Sequence, residues 1–527
     1  MKKAKTIKQT YGVLPVIFIL FLFTCFSPAY AAEENEAEGC TSILVGKLAS
    51  VDGATMTSHS CDSRTDRTWI NVVPHKKHKP GAMCKIYTKT KRTKGPDDKE
   101  VMVAGEIPQV PETYAYINTA YAVMNEHQLA IGETTIGQHK KLRTSRGIID
   151  CPELYRLILE RAKTAREAIK VADELTKKYG YIDTGECLTF ADPNEVWHFE
   201  IFGPGLGRLG AIWAAVRIPD DHVGVSANAG RIRQLNLDDP DNYLASENIE
   251  GVAAELGLWD PESGKAFEVC YAFANRQRLS SRRREWLVLN TIAPSLKLHS
   301  NDENYPLSVK PEKKLSLKDI LSLFRNHFQD TPFDFTRELL AKNRKGEIGV
   351  SPVACPFLNR ELQQLLKIKS ERSIACQRAT YVQITQSRAW LPDPIGGVVW
   401  LGYDNPEATP HTPFYCGISR MPPSYEIDGR REFRRDCAWW AFHRVSQLAK
   451  FRWQDMIKDI EKVWQDIEDK AIAGQESFEK KVLALYKQNP KKARKLLTDY
   501  CVDMAEDAVR RYWKLGDELW AKYTNYF

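Results

Sequence analysis

The sequence has no apolar run long enough to cross a bilayer. Its longest, Val13–Phe26, falls short of the ~20 residues that a spanning helix needs. Twelve cysteines include no Cys-x-x-Cys pair, which removes zinc ribbons, thioredoxin-type redox pairs and haem attachment. Eleven histidines include no His-Glu-x-x-His, so that metalloprotease motif is absent as well. Net charge is small: 75 basic against 68 acidic residues leave +7 over 527 residues, too thin an excess to argue for nucleic acid. Apolar residues are not scarce, and 43% hydrophobic with 27% charged excludes wholesale disorder. A chain of this length holds several domains or one large elaborated one.

The amino terminus is read first. Lys2, Lys3, Lys5 and Lys8 precede the apolar run, and Ala29-Tyr30-Ala31 follows it. A basic start, a short apolar stretch and an Ala-x-Ala end predict a signal peptide over residues 1–31. The expectation is a secreted or periplasmic protein with no membrane attachment after signal removal. Disulfides are then the default fate of the cysteines. Setting aside Cys25 and one other leaves ten, an even number.

After the signal comes an acidic octet, residues 32–39, that can bury nothing and is expected to lack structure. Cys40-Thr41-Ser42-Ile43-Leu44-Val45-Gly46-Lys47 then reads as a strand, Asp52-Gly53 as a hairpin turn, and residues 54–60 as the return strand. Folding about that turn brings Asp62 beside Cys40. Were the chain cut after Gly39, Cys40 would carry a thiol and a free α-amine, with ordinary pKa values of ~8.5 and ~7.7–8.0. Nucleophile and base would then share one residue, with Asp62 able to steady the ammonium. The plain alternative makes Cys40 one more disulfide cysteine near an exposed terminus.

Several blocks bear on that choice. Cys40–Gly46 with Asp52-Gly53, Tyr121–His127 with Ile131-Gly132-Glu133, and Ile212–Val223 with Ser226-Ala227-Asn228 occur in order. Thr331–Asp334, Trp390–Gly397 and Trp439–Phe442 continue them. Together they resemble the C69 family of secreted dipeptidases, N-terminal-nucleophile cysteine hydrolases. The resemblance implies an α+β fold, a four-layer αββα sandwich. It implies a propeptide over residues 32–39, whose loss makes Cys40 the first mature residue. The catalytic domain would span residues 40–445. Asp62 would then steady the terminal amine. Asn125 and Asn228 would lie near the oxyanion, where one donor is typically worth ~2.7–4 kcal/mol. The cluster Arg282-Arg283-Arg284 stands where relatives keep a site arginine, and Arg284 is favoured. One departure is that relatives often read Arg-Asn-Glu-Asp where this chain has His59-Ser60-Cys61-Asp62. Either the site tolerates the change with an altered pH dependence, His59 or Arg64 supplying part of the charge, or the substrate differs from the usual one; Cys61 is expected to be a disulfide partner, with Cys84 as one candidate.

Other signals are set aside. Gly205-Leu206-Gly207-Arg208-Leu209-Gly210 has the letters of a dinucleotide fingerprint, but strand-like segments flank it on both sides, so it is expected to be a loop. His75-Lys76-Lys77-His78 reads as a solvated basic loop, and residues 89–99 as a charged surface turn. Residues 152–178 carry one helical stripe, and residues 316–328 another, opened by Ser316 with Asp319 three residues on. Residues 380–386 and 397–403 have strand character. Residues 446–527 are expected to be a helical region, with stripes through Trp453, Met456, Ile460 and Ile467 and through Leu497, Cys501, Met504 and Leu515.

The sequence therefore points to a cysteine hydrolase of dipeptides or small peptides that needs no metal or organic cofactor. An N-acyl amide hydrolase of the penicillin or bile-salt amidase kind on the same scaffold stays open, as does a non-catalytic binding protein. Homo-oligomerisation is also left open.

Overall fold

β-Branched and aromatic residues dominate the central strands of the computed structural model, which describes residues 39–63, 65–87, 102–274 and 278–524. The predicted signal peptide and propeptide (up to residue 38), Arg64 and the 89–99 turn lie outside the described residues. One sheet has seven strands in the order Ser308–Val309, Val223–Ser226, Gly39–Val45, Ser58–Asp62, Tyr381–Gln386, Val398–Tyr403, Thr412–Tyr415. The other has eight: Tyr243–Ala245, Ile212–Ile218, Val196–Phe202, Glu186–Ala191, Ala130–Thr135, Met124–Asn125, Tyr116–Asn118, Asn71–Val73. Neighbouring strands run antiparallel, so the fold is mixed α and β, as expected.

Three strands matter most: β1 (Gly39–Val45), β2 (Ser58–Asp62) and β3 (Ala130–Thr135). The Asp52-Gly53 turn pairs β1 with β2 so that Gly39 faces Asp62 and Cys40 faces Cys61. β2 thus ends two residues later than the sequence suggested. At the turn, Gly53 takes φ +84° and Asp52 Oδ1 accepts from Ala54 N at 3.1 Å. Residues on β1 and β2 are buried on both faces, as in strands sandwiched between layers.

The two sheets touch through small polar side chains. Thr189 Oγ1 lies 3.2 Å from Ser42 Oγ and 2.6 Å from Thr57 Oγ1, and Gln383 Nε2 donates to Ile131 O at 3.0 Å. Gly132 on β3 sits at the tightest point. A Cβ there would lie 2.2 Å from Ser58 O and 2.5 Å from Ser42 Oγ, so only glycine lets the backbones approach this closely. That approach brings its neighbour Glu133 to the end of β1.

The single helix expected over 152–178 is two: α1 (Cys151–Arg161) and α2 (Ala165–Tyr179). Ala162 turns to extended geometry, and Thr164 caps α2 by accepting from Glu167 N. The apolar stripe resumes in phase after this break, which is why the periodicity alone hides it. Further on, α3 (Leu279–Ile292) carries the arginine cluster, and α4 (Leu317–Phe324) opens with the expected Ser316–Asp319 capping box. The glycines at 205–210 form a loop between two antiparallel neighbours, as expected. His75, Lys76 and Lys77 are exposed, as expected, and His75 lies 2.6 Å from Glu126 and 2.8 Å from Glu112 at the surface.

Three consecutive helices follow: α5 (Ala438–Ala449), α6 (Trp453–Gln488) and α7 (Pro490–Thr524). α6 and α7 pair through stacked Phe478 and Tyr500, whose rings are 3.8 Å apart. They reach the seven-stranded sheet through Tyr415 Oη donating to Glu479 and Tyr512 Oη donating to Ala408 O. Glu468 on α6 pairs with Arg325, Nη1 at 3.0 Å and Nη2 at 2.5 Å, and accepts from His411 N at 2.8 Å. Among the described residues, no helix is long and apolar enough to cross a membrane.

The disulfide expectation is corrected. The eleven described cysteines are all buried and none is disulfide-bonded. Cys61 Sγ donates to Asp66 Oδ2 at 3.2 Å, while Cys84 Sγ accepts from Arg156 at 3.5 Å. Each thiol is packed as a small apolar group within the core instead.

Candidate active site

Cys40 lies one residue into β1, where both faces of the strand are covered. Its thiol lies 3.4 Å from Glu133 Oε2, and His59 Nε2 lies 3.3 Å from the same oxygen. His59 and Glu133 are fully buried, and Cys40 is 7% exposed. The imidazole of His59 stands edge-on between the rings of Tyr121 and Tyr381, at 5.4 and 5.6 Å.

The backbone of Cys40 is held from two sides. Its nitrogen donates to Asn228 Oδ1 at 2.9 Å, and its carbonyl accepts from Arg284 Nη1 at 2.7 Å. Arg284 also donates to Thr41 Oγ1, Ala227 O and Asn228 Oδ1. Asn228 Nδ2 donates to Thr135 O at 2.9 Å. Because arginine can only donate and a carbonyl only accept, this network fixes which end of the Asn228 amide faces Cys40. Asn228 has φ +64°, a left-handed conformation that asparagine tolerates better than most residues. Arg282 and Arg283 turn elsewhere, to the carbonyls of Asn301 and Asp302 and to Glu371 respectively. Arg284 alone of the three reaches Cys40.

Asp62, opposite Gly39 across the β1–β2 pair, takes Ser60 Oγ at 3.2 Å and Arg372 Nη2 on its Oδ2. Its other oxygen is buried with no hydrogen-bond partner among the described residues. A Cβ on Gly39 would lie 3.0 Å from Asn228 Oδ1 and 3.2 Å from Arg372 Nη2. The residue before Cys40 is therefore confined to little more than a glycine.

The electrostatics follow from this enclosure. Burial pushes the Cys40 thiol well above its usual range, and Glu133, Cys61 and Asp62 push it further. Burial, then the like charge of Arg372, lower the Arg284 guanidinium to about 9 against the opposing pull of Asp62. For Arg372 burial is outweighed by Cys376 and Asp62, and its guanidinium is held above its ordinary range. In the intact chain the thiol is therefore neutral among fixed charges.

Four of the five residues expected at the site, Cys40, Asp62, Asn228 and Arg284, converge on the start of β1. Asn125 is engaged elsewhere. Its Nδ2 donates to Leu159 O at 2.9 Å and to Ala162 O at 2.7 Å, so it ties off the end of α1 at the break before α2. Arg372, His59 and Glu133 complete the cluster. Glu133 stood in the Ile131-Gly132-Glu133 block without a role assigned to it. Arg372 gave no signal, since a lone arginine after Lys367 and Lys369 reads as surface charge. Cys40, His59 and Glu133 also offer one S, one N and one O ligand atom within 4.8 Å of one another, the one such group of three among the described residues. Cys187, His198 and Glu200 resemble it, but Glu200 Oε1 is spent on the backbone N–H groups of Arg231 and Ile232 and all three are fully buried.

Known proteins resemble this chain over much of its length. A "Probable dipeptidase" of Latilactobacillus sakei is 26% identical over 437 residues, covering 79% of this chain and 82% of the relative. A "Probable dipeptidase B" of Lactococcus lactis subsp. lactis (strain IL1403) is 24% identical over 490 residues, covering 87% and 93%. A "Probable dipeptidase" of Salmonella dublin is 28% identical over 270 residues, covering 51% and 55%. The family model described as Peptidase family C69 matches residues 39–466, from the residue before the buried thiol to the middle of α6. With that span covering most of the fold, the chain belongs to peptidase family C69 and is a peptide-bond hydrolase.

Proposed function

We propose that this chain is an exported cysteine dipeptidase whose mature form begins at Cys40 and uses that residue as nucleophile and base together. The observation that carries the reading is the Cys40 backbone nitrogen, held by Asn228 Oδ1 at 2.9 Å next to its own enclosed thiol. Cutting the Gly39–Cys40 bond turns this nitrogen into an α-amine with an ordinary pKa of ~7.7–8.0. The amine takes the thiol proton, and the thiolate attacks the substrate carbonyl. The ammonium then protonates the leaving amine, and water cleaves the thioester. Asn228 Oδ1 orients the amine throughout, and the open oxygen of Asp62 compensates its charge when protonated. The new positive charge also offsets the burial and acidic neighbours that keep the thiol neutral before the cut.

Dipeptides are the proposed substrates because the relatives carry that name. The signal-like start of the sequence supports export. Two facing sheets with strands buried on both faces support reading the fold as the four-layer αββα sandwich of N-terminal-nucleophile hydrolases. The test is turnover of a dipeptide panel beside a panel of N-acyl amides. Hydrolysis of dipeptides that disappears in Cys40→Ala is the expected result. Undiminished hydrolysis in Cys40→Ala removes the nucleophile assignment, and preference for N-acyl amides replaces the substrate.

A further inference from the structure

Cys40 Sγ, His59 Nε2 and Glu133 Oε2 form a ligand set that the hydrolytic cycle itself does not call for. We propose that these three atoms bind a zinc-class divalent cation, and that the bound ion reversibly switches the hydrolase off by occupying its thiolate. The switching half of this proposal rests on Cys40 being the nucleophile; the binding half does not.

Tetrahedral zinc holds thiolate sulfur at about 2.3 Å, imidazole nitrogen at about 2.0–2.1 Å and carboxylate oxygen at about 2.0–2.2 Å. Those radii imply ligand-to-ligand edges of about 3.3–3.7 Å. Two edges already have that length: Sγ to Oε2 is 3.4 Å, and Nε2 to Oε2 is 3.3 Å. One ligand atom from each of the three residues lies within 4.8 Å of the other two. The imidazole is not otherwise engaged. Both ring nitrogens of His59 are buried without a hydrogen-bond partner among the described residues, because the approach of Nε2 to Glu133 has ion-pair distance but not hydrogen-bond geometry. A buried ring with two unsatisfied nitrogens is costly unless something else meets it.

Charge favours the same occupant. The ion brings +2, the thiolate and the Glu133 carboxylate one negative charge each, and the imidazole none, so a neutral cluster is buried. Binding displaces the thiol proton to solvent, and the ion is neither oxidised nor reduced. Three protein ligands leave the fourth tetrahedral position open.

The test uses the purified, active chain in metal-free buffer, with Co2+ as the spectroscopic probe and Zn2+ as the inhibitor. One equivalent of Co2+ should produce a thiolate-to-cobalt charge-transfer band, and Zn2+ should abolish the band and the turnover together. A chelator should restore turnover. The band should be missing in Cys40→Ser, and Zn2+ affinity, measured by competition against Co2+, should fall at least about 100-fold in His59→Gln and in Glu133→Gln. Circular dichroism confirms that each variant is folded. A band that survives in Cys40→Ser, or unchanged Zn2+ affinity in both folded ligand variants, overturns the proposal. If the chain turned over no dipeptide at all, the cobalt band would still decide the binding half, so the two readings fail separately.

Discussion

Arg284 does more for Cys40 than any other side chain in the site, since one guanidinium holds the Cys40 carbonyl, Thr41, Ala227 and the Asn228 amide together. Arg284→Met should lower kcat/KM for a dipeptide by about 10²–10³-fold, the scale of losing one positioned donor. Arg284→Lys should fail to restore it, because a point charge cannot span four acceptors; recovery in the lysine variant would mean that charge alone is needed. Gly39 gives a second prediction. Gly39→Val crowds Asn228 and Arg372, so the variant should accumulate as an uncut chain on an intact-mass measurement. In that chain the raised pKa of the Cys40 thiol predicts slow alkylation at neutral pH, with the rate climbing only as pH rises beyond the usual ~8.5 of a thiol. Much of this was legible in the sequence. A cysteine at a strand start, a turn at Asp52-Gly53 and a carboxylate at 62 are local features, and the hairpin arithmetic unites them. Arg372 was not legible, because its link to Asp62 spans 310 positions and depends on how two distant segments fold together.

Beside its buried apolar stripe, α6 is joined to the end of α4 by a buried ion pair, Glu468 with Arg325. Burial raises the Glu468 carboxyl, but Arg325 and His411 outweigh it and hold it at about 2. Its folded pKa lies below the ~4.3 of an unfolded glutamate, so this stabilisation is present above about pH 4.3 and is lost as pH falls toward 2. Arg325→Met leaves the carboxylate buried and unpaired and should cost ~3–5 kcal/mol near pH 7. Urea unfolding followed by tryptophan fluorescence at pH 7 and pH 3 checks both statements. The variant should be much less stable at pH 7 and lose less on acidification; equal losses on acidification would show that Glu468 is not the responsible group. The helices themselves were readable from their apolar stripes, as was the Ser316–Asp319 capping box. The break between α1 and α2 was not readable, because Thr164 restarts the stripe in phase. Nor was the use of Asn125, whose amide meets carbonyls that only the break exposes.

Across the fold, two antiparallel sheets pressed together at Gly132 carry Cys40 on an interior strand of one and Glu133 on an interior strand of the other. The thiol is buried between them. Under the proposed maturation the intact chain holds a neutral, buried thiol, and removal of everything before Cys40 would free the α-amine that serves as its base. The cysteine count misled on this wider scale. Export argued for disulfides, yet the described cysteines are dispersed through the core as buried thiols, and pairing is a property of distances that spacing in sequence does not encode. The decisive measurement is the N-terminal residue and intact mass of the protein fraction that hydrolyses dipeptides. Activity should coincide with chains beginning at Cys40. Full activity in chains that still carry Gly39 would contradict it.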